Sequence, residues 1–174
     1  MLTKAPAKKP TEKKPASKKS DAAEGRCWLM KSEPDCFGID HLKKATQEPW
    51  SGVRNYQARN FMRDDMRVGD RVLFYHSNAA PSGVAGLATV ASATYPDPTQ
   101  FDVHSEYFDA KATTAGPRWF LVDVRFVRAF SRLLSLDELR KIPELSDMLL
   151  FQRSRLSVQP VAAKHYDLIV KLAG

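Results

Sequence analysis

At 174 residues the chain can enclose one hydrophobic core and is too short for two large ones. Its hydrophobic fraction of 43% is ordinary for a globular protein, while its charge of +7, from 27 basic and 20 acidic residues, is not. No apolar run is long enough to span a bilayer, and two cysteines are too few for a disulfide framework.

The charge is unevenly placed. Residues 1–26 hold seven lysines and Arg26 against Glu12, Asp21 and Glu24, a net of +5, so the remaining chain carries only +2. This leader of Lys, Pro, Ala and Ser has no aromatic residue and no apolar periodicity. It cannot bury enough surface to offset the entropy of ordering, and is expected to be disordered. Its lysine pairs suit loose phosphate contact by counterion release and resemble a nuclear-import patch. A purely solubilising leader is the plainer alternative. No apolar stretch follows the basic start, so a secretory signal is not expected. Cys27 and Cys36 form no CxxC or Cys/His cluster, so free thiols, no metal and no cofactor are expected. An intracellular protein fits best, nuclear in a eukaryote and at the nucleoid in a bacterium.

Order is expected from Cys27 onward, as one domain over 27–174. CWLMK (27–31) is a short apolar strand that Pro34 interrupts, and IDHLKKA (39–45) predicts a short helix. YQARNFMRDDM (56–66) predicts a better one, with Ala58, Phe61 and Met62 on one face. DRVLFYHS (70–77) is apolar on both alternating faces and reads as a central strand. GVAGLATVASATY (83–95) contains glycines that permit a bend or bulge. RWFLVDVRFVRAF (118–130) alternates, with Phe120, Val122, Val124 and Phe126 facing one way. SLDE (135–138) fits a capping box, Ser135 capping and Glu138 reaching back. RLSVQPV (155–161) is a last strand that Pro160 should stop, and a helix over 163–173 gathers Tyr166, Ile169, Val170 and Ala173. No βαβ series or glycine-rich phosphate loop appears. The prediction is an α+β chain: a curved, largely closed sheet of about five or six strands with helices around it.

Polar clusters interrupt these elements at KSEP (31–34), GVRNYQ (52–57), HSN (76–78) and RLSVQP (155–160). Three of them fall at strand ends, where a half-open barrel has its mouth. A planar heterocycle needs hydrogen-bonding partners for its edge and an aromatic or guanidinium plane for its face. Asn55, Ser32, Ser77 and Ser157 suit the edge. Tyr56, His76, Trp50 and Trp28 suit the face, with Lys31 or Arg54 near a phosphate. Each residue also has a plainer reading: Trp28 in the core, His76 as a satisfied strand-end group, Asn55 as a helix N-cap. Arg59, Arg63 and Arg67, spaced by four, make a basic ridge for a nucleic-acid backbone, or a solvated face paired with Asp64 and Asp65. Adjacent His76 and Ser77 point to opposite faces of a strand, and no HExxH, GxSxG or paired-carboxylate motif is present, so a binding domain is favoured over an enzyme.

Taken in order, WLMKSEP (28–34), GVRNYQARNFMR (52–63), FYHSN (74–78), YPDPTQFD (95–102), PRWFLVDVRFVR (117–128) and RLSVQP (155–160) resemble the EVE domain family, within it the thymocyte nuclear protein group. The resemblance covers nearly all of 27–174. It implies a PUA-like fold, a small mixed β-barrel with helices packed around it. It also implies a nucleic-acid reader, of DNA or RNA, whose pocket takes a flipped modified base, modified cytosine in DNA foremost. By motif position that pocket would use Lys31, Ser32, Val53, Arg54, Asn55, Tyr56, Gln57, His76, Ser77, Arg155, Leu156, Ser157 and Val158. A monomer is expected.

Overall fold

Two parallel strands, β1 (Cys27–Ser32) and β3 (Arg71–His76), form the middle of the molecule, in register from Cys27 beside Arg71 to Ser32 beside His76. This computed structural model describes residues 25–174. Residues 1–24, most of the leader expected to be disordered, lie outside the described residues. On either side of the central pair the sheet is antiparallel. It has the order β2 (Gln47–Pro49), β7 (Asp123–Ser135), β4 (Gly83–Val90), β3, β1, β8 (Val158–Val161). A two-stranded ribbon, β5 (Tyr95–Pro96) with β6 (Phe120–Leu121), lies apart from it.

Both faces of the central strands are covered, as the doubly apolar pattern of 70–77 predicts. One face packs Trp28, Met30, Val72 and Phe74 against Leu42, Ala58, Met62 and Val124. The other packs Leu29, Leu73 and Tyr75 against Leu139, Leu145 and Ile169. The helices that cap the first face are α1 (Pro34–Phe37), α2 (Ile39–Ala45) and α3 (Tyr56–Asn60). Those of the second are α4 (Leu136–Arg140), α5 (Leu149–Gln152) and α6 (Ala163–Leu172).

Curvature comes from irregular pairing. The β4–β7 register shifts between Val84 and Gly86 and again between Leu87 and Ala88. A Cβ on Gly86 would stand 2.4 Å from the Arg128 carbonyl oxygen, so only glycine permits the approach. The curled sheet stays open, with β2 and β8 as its edges: a half-barrel, where a largely closed one was expected.

Three other expectations need correction. Pro160 does not stop the last strand but lies inside β8, opposite Trp28, because an edge strand has no outer neighbour to need its N–H. The alternating strand extends to Ser135, where the capping box Ser135–Glu138 begins α4 as read from SLDE. The helix after Tyr56 does not continue regularly. From Phe61 to Asp65 it widens into a π-helical turn, closed by the Met66 N–H to the Phe61 carbonyl at 2.9 Å.

Candidate functional site

Because β1 and β3 run parallel, their C-terminal ends open on the same rim. The Ser77 N–H donates to the Ser32 carbonyl at 2.9 Å, and the Asn78 amide donates to Glu33 Oε1 at 2.6 Å. The segment before β8 closes one side. There the Lys31 N–H donates to the Ser157 carbonyl at 2.8 Å and the Lys31 ammonium to the Ser154 carbonyl at 2.9 Å. Residues 48–54 close the other side. Between them is a cleft of about 890 Å³. That lies within the roughly 300–1,000 Å³ of ordinary ligand sites.

Of the residues singled out from sequence, the cleft gathers Lys31, Ser32, Trp50, Val53, Arg54, Ser77, Arg155 and Ser157. Phe37, Trp50 and Val53 supply apolar wall; the serines supply small donors and acceptors. Formal charges balance: Lys31, Arg54 and Arg155 stand with Glu33, Glu48 and Glu106. Burial lowers the Lys31 pKa below its ordinary value. Among the described residues Arg155 has no ion pair, whereas Arg54 has every donor engaged.

Arg54 is the anchor of the GVRNYQ stretch. Its Nε and Nη2 donate to the Tyr107 carbonyl at 2.9 and 2.6 Å. Nη1 bridges the Val53 carbonyl at 3.1 Å and Asp97 Oδ2 at 2.9 Å, and Nη2 reaches Thr99 Oγ1 at 2.9 Å. Asp97 is 1% exposed and also accepts from the Gly52 N–H, the Thr99 N–H and the Thr99 hydroxyl. Burial would raise its carboxyl pKa, but the hydrogen bonds from Thr99, Arg54 and Gly52 win and hold it below the usual range. Gly52 has φ +79, and a Cβ there would lie 2.8 Å from the Tyr107 ring. Glycine is therefore required on both counts.

The same guanidinium begins a stack of planar groups that leaves the cleft. Arg54 lies 5.4 Å from the Tyr107 ring centroid and 5.3 Å from that of Trp119. Trp119 stacks on Tyr56 at 4.9 Å and 23°, and Arg59 lies 4.9 Å from the Tyr56 ring. The Arg118 guanidinium hydrogen-bonds the Tyr56 hydroxyl. Tyr56 is thus half-exposed in this stack and does not line the cleft.

Several sequence candidates lie outside the cleft. Trp28 is 2% exposed in the core, its indole N–H donating to Asp70 at 2.8 Å. Leu156 and Val158 are buried core residues that do not line the cleft. Asn55 caps α3, its Oδ1 accepting from the Ala58 N–H at 3.0 Å, and Gln57 follows on the exposed helix surface. His76 Nε2 accepts from the Ile39 N–H at 3.1 Å at the start of α2, and burial lowers its pKa.

The expected arginine ridge is broken by the π-helical turn. Arg67 falls beyond the helix and donates to the Met66 and Asp64 carbonyls. Arg63 pairs with Asp64 at 2.7 Å, as the plainer reading had it. Arg59 instead turns to Tyr56 and the Arg118 carbonyl. Arg118, from a different segment, takes the neighbouring place.

Asp97, Gln100, Tyr107 and Trp119 were not singled out from sequence. Gln100 is fully buried, donating to the Asp97 and Trp119 carbonyls and accepting from the Arg118 and Trp119 N–H groups. The only signal for these four was their place in or beside the quoted blocks YPDPTQFD and PRWFLVDVRFVR. Among the described residues no group of three His, Cys, Asp or Glu side chains could hold a metal ion.

A family model described as the EVE domain matches residues 26–172. Thymocyte nuclear protein 1 of Danio rerio is 43% identical over 164 residues, covering 83% of this chain and 71% of that protein. Among solved structures, a hypothetical protein from Leishmania major is 52% identical with a TM-score of 0.85, over 88% of this chain and 97% of that one. The structure of human THYN1 in complex with 5-methylcytosine containing DNA is 39% identical with a TM-score of 0.81, over 86% of this chain and 98% of that one. This chain belongs to the EVE domain family.

Proposed function

We propose that this chain is a nucleic-acid reader that takes a flipped, modified base, foremost 5-methylcytosine in DNA, into the cleft between residues 31–33, 50–54, 77–78 and 154–157. The supporting observation is the convergence of these polar segments on one cleft, in a fold shared with a human protein solved with 5-methylcytosine containing DNA. Ser32, Ser77 and Ser157 would meet the polar edge of the base. Trp50, Phe37 and Val53 would face its ring and methyl group, and Arg155 would meet a phosphate.

Extruding a base from a duplex costs a few kcal/mol, less where it is mismatched or single-stranded. Binding would recover this through the cleft and through phosphate neutralisation. The role proposed is recognition, without turnover, by a monomer. Nuclear placement in a eukaryotic cell is part of this proposal, supported by the lysine-rich leader and the relatives' name. Among the described residues no helix is long and apolar enough to cross a membrane.

The test is affinity of the full chain, at physiological salt, for matched oligonucleotides with plain or modified cytosine. The expected preference is about tenfold or more, about 1.4 kcal/mol, and Ser157→Ala abolishes it. Asn55→Ala is the control: it removes a helix cap, costs about 1 kcal/mol of stability and leaves the preference intact. Equal, weak binding to every oligonucleotide would overturn the proposal.

A further inference from the structure

The loop after the 3₁₀ turn Pro98–Phe101 carries an unusual surface. Of the seven exposed large hydrophobic side chains among the described residues, three fall in residues 103–108: Val103 at 66%, Tyr107 at 38% and Phe108 at 41% exposure. The other four, Tyr56, Val68, Val127 and Leu172, are scattered along the chain. Single exposed apolar residues need no explanation, but a cluster on one loop does.

Looseness of the loop does not explain the exposure. Arg54 holds the Tyr107 carbonyl with two donors, and the Tyr107 ring seats over Gly52. The Asp109 N–H donates to the Gln100 carbonyl at 3.0 Å, and the Trp119 indole donates to Asp109 Oδ2 at 2.7 Å. The Phe108 N–H donates to the Ser105 carbonyl at 3.1 Å. Phe108 is thus held through the backbone on both sides and is still 41% exposed. Tyr107 lines the cleft and Phe108, one residue on, does not.

Resting on the base-cleft reading above, we propose that Phe108, on the loop that also exposes Val103, is a wedge that enters the DNA base stack and fills the gap left by the extruded cytosine. A vacated stack position is an apolar slot, and inserting an aromatic ring there replaces lost stacking while removing that ring from water. Because the loop is fixed to the cleft wall through Arg54, base entry and ring insertion become one motion of the DNA against a rigid surface. The wedge acts only where a base must be unstacked. It adds nothing to the binding of a base that is already free.

The experiment uses the full chain with modified cytosine in three settings: a matched duplex, a duplex mismatched at that cytosine, and a single strand. Phe108→Ala is expected to weaken matched-duplex binding by about tenfold or more, the effect of losing about 1.4 kcal/mol of help in opening the pair. Mismatched duplex should lose less, and single strand nothing. Phe108→Trp should restore duplex binding. A 2-aminopurine beside the target should brighten with the unsubstituted protein and stay dim with Phe108→Ala. Equal loss on all three, or no loss on the matched duplex, would overturn the wedge. If the unsubstituted protein does not prefer modified over plain cytosine even in a single strand, the cleft reading fails, and the wedge with it.

Discussion

Arg54 and Asp97 tie the cleft wall at Gly52 and Val53 to the segments carrying Thr99 and Tyr107. A planar guanidinium offers five donors in a fixed fork, and here every one has an acceptor. Arg54→Lys keeps the charge but leaves the Tyr107 carbonyl or Thr99 without its donor. It should destabilise the fold by about 2 kcal/mol in urea unfolding and weaken cleft binding. The same pair has a pH signature. The Asp97 pKa is lowered in the folded protein from an ordinary value of 3.8. Its contribution is therefore fully present above about 3.8 and lost as the pH falls through the lower folded value. An Asp97→Asn protein, compared with the unsubstituted one in acid titration, should lose that segment of the stability curve.

Among the elements, α4 offers the cleanest case because its cap was readable beforehand. Glu138 accepts from the Ser135 N–H at 3.0 Å and the Ser135 hydroxyl at 2.8 Å, and pairs with Arg132 at 2.7 Å. These contacts, the backbone one foremost, bring its pKa from 4.5 down to about 2. Glu138→Ala should lower Tm at neutral pH and leave it unchanged below about pH 2, where the carboxylate is protonated in both states. Local chemistry alone carried this element, since Ser-x-x-Glu lies within one turn. The π-helical turn at Phe61–Asp65 was not legible in the same way. Its sequence reads as regular helix, and in the widened turn Met62 and Met66 are both buried in the core. The widening displaced Arg67 from the expected ridge.

Over the molecule as a whole, the cleft's charges cancel and residues 27–174 carry only +2, so under the proposed function long-range attraction to DNA is assigned to the leader. Replacing its seven lysines with alanine should weaken binding at low salt. It should also flatten the dependence of log affinity on log salt, by about 0.9 for each phosphate that is no longer neutralised. Preference between plain and modified cytosine should not change. Parallel measurements over a salt series check both, and a changed preference would show that the leader reads bases rather than phosphates.

Features with local causes were legible in the order of the residues alone: the apolar core strands, the caps at Asn55 and Ser135, the glycine bulge in β4, and the composition of the polar clusters. The order of the motif blocks also named the family. Which of those polar groups share a space was decided by the folded chain. Trp28 and Ser32 lie four residues apart on one strand, yet the first is sealed in the core by Asp70 and the second opens on the cleft. Arg54 looked like a free cation until Asp97, 43 residues away, appeared beside it. Gln100 and Tyr107 gained a role only when the chain returned to meet Gly52 and Trp119. Periodicity reports which face of an element is buried. What lies across from that face depends on contacts between distant segments, and these decide the site.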